Sequence, residues 1–597
     1  MEFSRPTPLS CIALLGFLFA GLPLSAQKVC EAVPVYSPCE VEFELTEAEA
    51  ARHPNPYATV EIRAEIRSPR HRTFLAYAYW DGGRRMVIRF APTEAGQWDF
   101  RLSGNLERLQ GHMSNITATA AGVPGFIRPA NVHHFSYTEN FIPHLWMGDT
   151  FDRFAFVDQA QFERIIDARA EQKFNHVRGL VLGRPEDSPA AVTGPDRIDP
   201  AHFQRLDQRI RYMNAKGIVA DLVLGAGDNQ LAKLFPTWRQ RERYVRYLIS
   251  RYAAFNITWQ GVENFEEYEN GRELLKEIGT LIKKLDPYQH PRSTGTVATS
   301  ASLLNDGWMD HVIVNSPDDG LGSIEHQLYP VPFVNIGLAS DASAGEFRRR
   351  LWNAAMNGQY VTLRGPDPDS VKARQMTVWY DFFTRTRHWD LEPYFDVDNG
   401  RAVALETIEY IIYAEKPGTV EALVAKHGYD VAWFNPSTGE SIKQKEFKGE
   451  KFSGQTPDNE RDWVLHLSRE GKKEGMLKSY KFEARRILMQ EVERVPSKIP
   501  FELAQPATDR ISLAAASPFA VKVTRETRAT RSMMWLWTGE VAADGRGYRV
   551  LGTGANGSFH VPPGIAKHFP AVLHVRLAGM NANGKIYSLD RTYQLTK

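Results

Sequence analysis

Between Phe255 and Asn270 the chain crowds Glu263, Glu266, Glu267 and Glu269 among Trp259, Phe265 and Tyr268, directly after the apolar, β-branched run Ile257-Thr258-Trp259. The run reads as a buried strand that stops in a loop. Aromatic rings stack on the apolar faces of pyranoses, and a half-desolvated carboxyl can have its pKa raised far enough to serve as a general acid near neutral pH. The pattern therefore points to sugar binding or sugar cleavage. Glutamates after a strand also make an ordinary solvated helix face, so a site requires surrounding elements that aim one of them.

Those elements can be counted from about residue 131 to about residue 390. Candidate strands run Ile142 to Met147, His176 to Leu182, Ile218 to Leu224, Ile257 to Val262, Arg292 to Gly295, His311 to Asn315, Phe333 to Gly337 and Tyr360 to Leu363. Helical stretches fall at Gln159 to Gln172, Ala201 to Ala215, Thr237 to Ala253, Gly271 to Leu285 and Ala344 to Asn357. Eight strands, most of them followed by a helix, match a (β/α)8 TIM barrel in number and length. A doubly wound open sheet is the alternative, but no GxGxxG follows the first strand.

In such a barrel the site forms at the carboxyl ends of the strands. That rule selects Asp149 from strand one, Arg184 after strand two, Asp228 after strand three, Glu263 after strand four, and Asn315 with Asp318 and Asp319 after strand six. Trp146, Trp259 and His326 are expected to line the same mouth. Asp149 would serve equally as a helix cap, and Asp318-Asp319 as a turn before Gly320.

A chain of 597 residues with 43% apolar and 24% charged content is an ordinary globular protein too long for one core. Its formal charge of +1 argues against a nucleic-acid partner. No HExxH motif and no Cys/His pair at zinc spacing occurs, so neither a metal nor a cofactor is expected. Arg5, the apolar run Cys11 to Leu22 and the small-residue end Leu24-Ser25-Ala26 look like a secretory leader over 1–26, too short for a membrane span. Export to the periplasm or the exterior makes a Cys30–Cys39 disulfide the expected state of the remaining cysteines. Short alternating strands with turn residues suggest an immunoglobulin-like β-sandwich over 27–125. The barrel follows over 126–400, then a second β-sandwich over 401–495 and a β-rich unit over 496–597. The expected architecture is multidomain, a central TIM barrel flanked by β-sandwiches.

Four segments together resemble a family of secreted bacterial glycoside-hydrolase-like proteins: Trp146 to Thr150, Ile257 to Glu263, the Arg348 to Gly358 helix, and Trp433 to Gly439. That family combines a DUF5060-type domain, a DUF4038 or apiosidase-like barrel and a collagen-binding-like module, and the resemblance covers roughly residues 35 to 470. It implies a retaining hydrolase acting on a poly- or oligosaccharide. The acid/base carboxyl would follow strand four and a nucleophilic Glu would end strand seven, the two about 5–5.5 Å apart. Glu263 matches the first role, with Glu266 in reserve, although Glu263-Asn264 stands here in place of the usual Asn-Glu or Gly-Asp. Strand seven departs further, since Phe333 to Ser340 carries no carboxylate and Gly337 takes the place of the Glu. Three routes stay open. Asp341 could bend back into the site. Asp319 or Asp149 could activate water in an inverting reaction, which wants carboxyls about 6.5–9.5 Å apart. Or the barrel binds glycan without cleaving it.

Overall fold

The structure is a computed structural model that describes residues 30, 32–130, 132–338, 341–365, 367–469, 499–512, 517–560, 562 and 564–597. The leader expected at 1–26 lies outside the described residues. No helix among them is long and apolar enough to cross a membrane.

Two sheets form the N-terminal unit. Five strands pair in the order Ala32–Pro34, Met113–Thr119, Gly96–Gly104, Ile62–Arg67, Thr73–Tyr77, and three in the order Cys39–Glu44, Arg85–Phe90, Tyr79–Trp80. Alternation turns their apolar faces together. Ile62, Ala64 and Ile66 are buried while Arg63, Glu65 and Arg67 are exposed, and they share one core with Val41, Ile88, Trp98 and Ile116. Cys30 and Cys39 are joined by a disulfide. The all-β reading of this stretch needs correction at two helical turns. Thr46 and Glu49 form a reciprocal capping box for Glu47–Arg52, and Pro56 opens the short helix Pro56–Thr59.

Eight parallel strands build the barrel: β1 Met147–Thr150, β2 His176–Leu180, β3 Val219–Gly225, β4 Ile257–Val262, β5 Arg292–Ser293, β6 Val312–Val314, β7 Phe333–Leu338 and β8 Gln359–Arg364. Pairing runs from β5 through β4, β3, β2, β1, β8 and β7 to β6. The circle is all but closed, with Thr299 in the loop after β5 bridging Val314 in β6. The outer helices are α1 Gln159–Glu171, α2 Pro200–Ala215, α3 Trp238–Tyr252, α4 Gly271–Leu285, α5 Asp319–Leu328, α6 Ala344–Met356 and α7 Val371–Phe383. Local chemistry starts them. Asp158, Asp318, Ser343 and Ser370 accept backbone N–H bonds at their helix starts, and Thr237 with Gln240 makes a capping box for α3. After β5 only a 3₁₀ turn, Ala301–Asp306, replaces a helix.

The first strand lies later than its apolar run suggests. Pro143 and His144 belong to a three-stranded plug with Ile127–Ala130 and His134–Tyr137, and β1 begins at Met147. The plug closes the amino-terminal end of the barrel. Phe135 packs on Trp146, His311 and Tyr360, and Phe126 packs on His290. His144 Nε2 meets His176 Nε2 at 2.8 Å.

A buried ionic cluster fixes the N-terminal unit on the barrel. Asp207 of α2 accepts from Arg89 of that unit at 2.7 and 3.2 Å and from Arg251 of α3 at 2.8 Å on each oxygen. Arg251 also reaches Asp81 at 2.8 Å, and both guanidiniums lie over the Tyr79 ring. Burial works against the Asp207 carboxylate, but the two arginines outweigh it and hold its pKa below the usual range.

Beyond the barrel, strands Glu392–Tyr394, Arg401–Leu405, Glu409–Ala414, Trp463–Ser468 and Thr419–Phe434 pair in that order around Tyr410, Ile412, Trp433 and Leu465. The last unit, 499–597, packs Leu536, Ala578 and Met580 against Leu321 and Ile324 of α5. Its His568 binds Glu269 at 2.8 Å and its Arg546 donates to the Glu267 carbonyl at 3.1 Å.

Candidate functional site

Parallel strands alternate their side chains, and inside this barrel the alternation builds a polar chain across β2, β3 and β4. Thr258 Oγ1 donates to Asp221 Oδ1 at 2.8 Å, and the Gln260 amide donates to Asp221 Oδ2. Arg178 Nε donates to Gln260 Oε1 at 3.0 Å, and Arg178 Nη2 donates to Glu263 Oε1 at 2.6 Å. Each link orients the next, so the Glu263 carboxylate is aimed by a guanidinium that Gln260 holds in place. Burial pushes the Asp221 carboxyl upward, against the pull of Arg178.

Above this chain opens a cleft lined by Thr150, Arg178, Glu263, Asn264, Gly295, Thr296, Asn315, Ile336 and Arg364. All but Arg178, which reaches up from the middle of β2, come from the carboxyl ends of strands or the loops just beyond. Glu263 is a quarter exposed, with 24% of its side-chain surface accessible. Gly295 makes room for the ion pair, since a Cβ there would lie 2.9 Å from Arg178 Nη2. Asn315 Nδ2 donates to the Thr296 carbonyl at 2.9 Å, which leaves the amide oxygen of this lining residue as an acceptor. Asp152, just past β1, is 3.8 Å from Arg178 Nη1 and 2.5 Å from Arg184 Nη2. Glu263 is the only carboxylate among the lining residues, and none of them is aromatic.

Of the residues selected from the sequence, the structure brings Glu263 and Asn315 to this cleft and places the others elsewhere. Asp149 points outward, fully buried, with Arg169 Nε of α1 at 2.7 Å, and burial lifts its carboxyl to about 7 despite that partner. Thr150, one residue on, takes the inward position. Trp146 precedes β1 and stacks on His176 at 3.4 Å in the plugged end, the opposite end from the mouth. Trp259 faces the helix layer, where its indole N–H donates to Asp286 at 3.0 Å. Its neighbours Thr258 and Gln260 are the inward ones. Arg184 and Asp228 are on the rim, paired with Asp152 and Lys233.

Glu266 turns behind the cleft, where both carboxylate oxygens lie 3.3 Å from the Val297 N–H, and burial raises its pKa to about 7. Glu267 is exposed, and Glu269 faces the last unit. Asp318 caps α5 and receives the Thr553 hydroxyl. Asp319 opens α5 beside Asn353, whose Nδ2 donates to it at 2.9 Å. Asp341 is exposed in the loop after β7, and His326 is buried against His133.

Strand seven explains why no carboxylate stands opposite Glu263. The pairing of β7 with β8 slips between Asn335 and Leu338, and Ile336 is the β7 side chain that lines the cleft. Gly337 is pressed against the loop after β6. A Cβ at 337 would lie 2.7 Å from the Ser316 nitrogen and 2.9 Å from the Asn315 carbonyl carbon. Backbone cannot yield as a flexible side chain can. Gly337→Glu is therefore expected to destabilise the protein by about 1–3 kcal/mol and to release no reducing sugar above wild type. A stable variant with new hydrolysis would show that the strand has room for a nucleophile.

Arg178 is the residue sequence reasoning passed over. It falls mid-strand rather than at a strand end, but a charge at the centre of His176-Val177-Arg178-Gly179-Leu180, a run buried throughout, is itself a signal, because such a charge needs a partner. Arg364 ends β8 and is exposed.

Residues 130–334 match the model of the apiosidase-like catalytic domain, and residues 32–105 match DUF5060, a domain of unknown function. The first match covers β1 to β6 and stops inside β7, ahead of Ile336. A crystal structure from Bacteroides vulgatus ATCC 8482, of a protein assigned as a glycoside hydrolase, aligns with a TM-score of 0.64 at 18% identity, covering 74% of this chain and 100% of that one. A glycoside hydrolase family 5 structure from the same organism aligns with a TM-score of 0.49 at 15% identity over 57% of this chain and 93% of that one. No curated protein matches the sequence. The first of these likenesses bears on the fold alone, the barrel architecture that this chain shares with that structure.

Proposed function

We propose that the chain is an exported carbohydrate-recognising protein that holds a poly- or oligosaccharide at the barrel mouth through Arg178, Glu263, Asn315 and Arg364, and that it does not run double-displacement hydrolysis through β7. The observation that carries this reading is the composition of the cleft wall: one carboxylate, two guanidiniums, and Ile336 where β7 faces the ligand. A glycosyl-enzyme intermediate needs an attacking carboxylate about 5–5.5 Å from the acid. Polar recognition remains, because sugar hydroxyls can donate to Glu263 and Asn315 and accept from the two arginines. The apiosidase-like match supports carbohydrate as the ligand class. The apolar leader and the Cys30–Cys39 disulfide support export, and facing sheets around one core support a sandwich at 32–119. The unit after the barrel is read in the same way, as the collagen-binding-like module of the family.

One observation favours a second reading. Asp152 and Glu263 pair with the same guanidinium, so in this second reading Asp152 would activate a water while Glu263 protonates the leaving oxygen, the division of roles of an inverting hydrolase.

Purified protein titrated against a panel of plant and bacterial oligosaccharides, with reducing ends assayed in parallel, separates the two. Binding without release is expected, and Glu263→Gln is expected to weaken affinity about 10-fold or more, as loss of a charged hydrogen bond does. Reducing-end release that disappears in both Glu263→Gln and Asp152→Asn would replace the binder with the inverting enzyme. Absence of binding to every sugar would sink both.

A further inference from the structure

At the plugged end of the barrel three segments remote in sequence converge. His133 comes from the plug, His326 from the last turns of α5, and Glu392 from the first strand after the barrel. One ligand atom from each lies within 4.8 Å of the others. His133 Nδ1 is 2.9 Å from Glu392 Oε2, and His326 Nε2 is 3.7 Å from the same oxygen.

The hydrogen bonding of His133 sharpens the meaning of that contact. Its Nε2 lies 3.1 Å from the Tyr329 carbonyl, which can only accept, so Nε2 carries a hydrogen. In a neutral ring Nδ1 is then a lone pair facing a carboxylate oxygen, a contact that only a shared proton or a metal ion makes favourable. His326, 1% exposed, has no hydrogen-bond partner on either ring nitrogen, and native structures rarely leave buried polar groups so. Gly358, at φ +72°, keeps that nitrogen open, because a Cβ there would lie 2.4 Å from His326 Nε2.

We propose that His133 Nδ1, His326 Nε2 and Glu392 bind a divalent transition-metal ion, zinc by the chemistry of the donor set. Ligands about 2.0–2.1 Å from a tetrahedral zinc are about 3.3 Å apart, and the 2.9 and 3.7 Å contacts to Glu392 straddle that spacing. The fourth position falls to water or to His134, whose Nε2 is 3.5 Å from Glu392 Oε1 and has no hydrogen-bond partner. Outer contacts fix the ring orientations: the Tyr329 carbonyl on His133, and the Tyr360 hydroxyl 3.0 Å from His134 Nδ1. The ion ties the plug, α5 and the following β-unit together. The proposal is independent of what the mouth binds.

Untagged full-length protein, desalted after exposure to zinc, is expected to retain close to one zinc per chain. Cobalt in its place is expected to give the intense visible absorption of a tetrahedral site. Chelation is expected to lower the melting temperature and zinc to restore it. Glu392→Gln keeps the shape and hydrogen-bonding reach while removing the anionic ligand. It is expected to weaken zinc binding by more than the roughly 10–100-fold that losing an outer-shell partner costs, with the circular dichroism of the wild type. His326→Gln provides the same comparison should Glu392→Gln fail to fold. Wild type that binds zinc no more tightly than these variants, or a cobalt spectrum of the hydrated ion only, would overturn the proposal and leave a protonated imidazole bound to a carboxylate.

Discussion

Asp207→Ala is expected to cost about 3–5 kcal/mol of stability, because it leaves two buried guanidiniums without their shared counter-charge. Arg89 is 6% and Arg251 0% exposed. Neither can recover hydration by moving, since Arg251 is held between the Tyr79 ring and Asp81, and Arg89 between Tyr79 and Phe255. The loss is expected at the seam between the N-terminal unit and α2 and α3, so an early phase in guanidinium denaturation and faster proteolytic release of that unit should accompany the lower midpoint. Replacing Arg89, Asp207 and Arg251 together with Met, Leu and Met is expected to be less harmful, because no guanidinium is then stranded while Asp81 keeps Arg85 and Glu40 keeps Arg211 as counter-charges. A change within about 1 kcal/mol for Asp207→Ala would mean that water reaches the cluster.

Glu266→Gln is expected to stabilise the protein in alkaline solution and to leave it unchanged in acid. Burial raises the Glu266 carboxyl from 4.5 to about 7, with the Val297 N–H pulling the other way. Between those two values the folded chain keeps a proton that the unfolded chain has released. Stability therefore falls as pH rises through this window, is intact below about 4.5 and has lost the full contribution above about 7. The shift corresponds to about 3 kcal/mol at most. The glutamine removes the titration, so denaturation at pH 4 and pH 8 should give equal stabilities for the two proteins at the first pH and a more stable variant at the second. Equal stabilities at both would show that Glu266 is solvated. Sugar affinity should not change, because Glu266 is turned away from the cleft, and this distinguishes it from Glu263.

The barrel was legible in the sequence because parallel strands buried on both faces leave continuous apolar runs between helical stretches. Ile257–Val262 and Gly271–Leu285 have the bounds the pattern suggests. The first strand was displaced because Ile142 to Met147 reads as one apolar run, although Pro143 and His144 pair into the plug. At the site the difficulty is one of phase. A single step along β1 decides whether Asp149 or Thr150 faces inward, and one along β4 decides it between Trp259 and Gln260; an apolar run with no polar alternation carries no mark of which. The slip in β7 has no local sign except Gly337 itself. His133, His326 and Glu392 could not be joined from spacing at all, since their neighbourhood exists only once the barrel closes and the next unit docks.

The plug at residues 127–144 also settles how traffic through this barrel must run. Its contacts reach the amino-terminal starts of β2, β6 and β8, and Phe126 just ahead of it covers the loop before β5, which leaves the carboxyl-terminal mouth as the opening. Whatever reaches Arg178 arrives and departs by the same doorway, so an outgoing molecule obstructs the next. A long polymer cannot thread the axis of the barrel. It can only lie across the mouth or present a chain end to it.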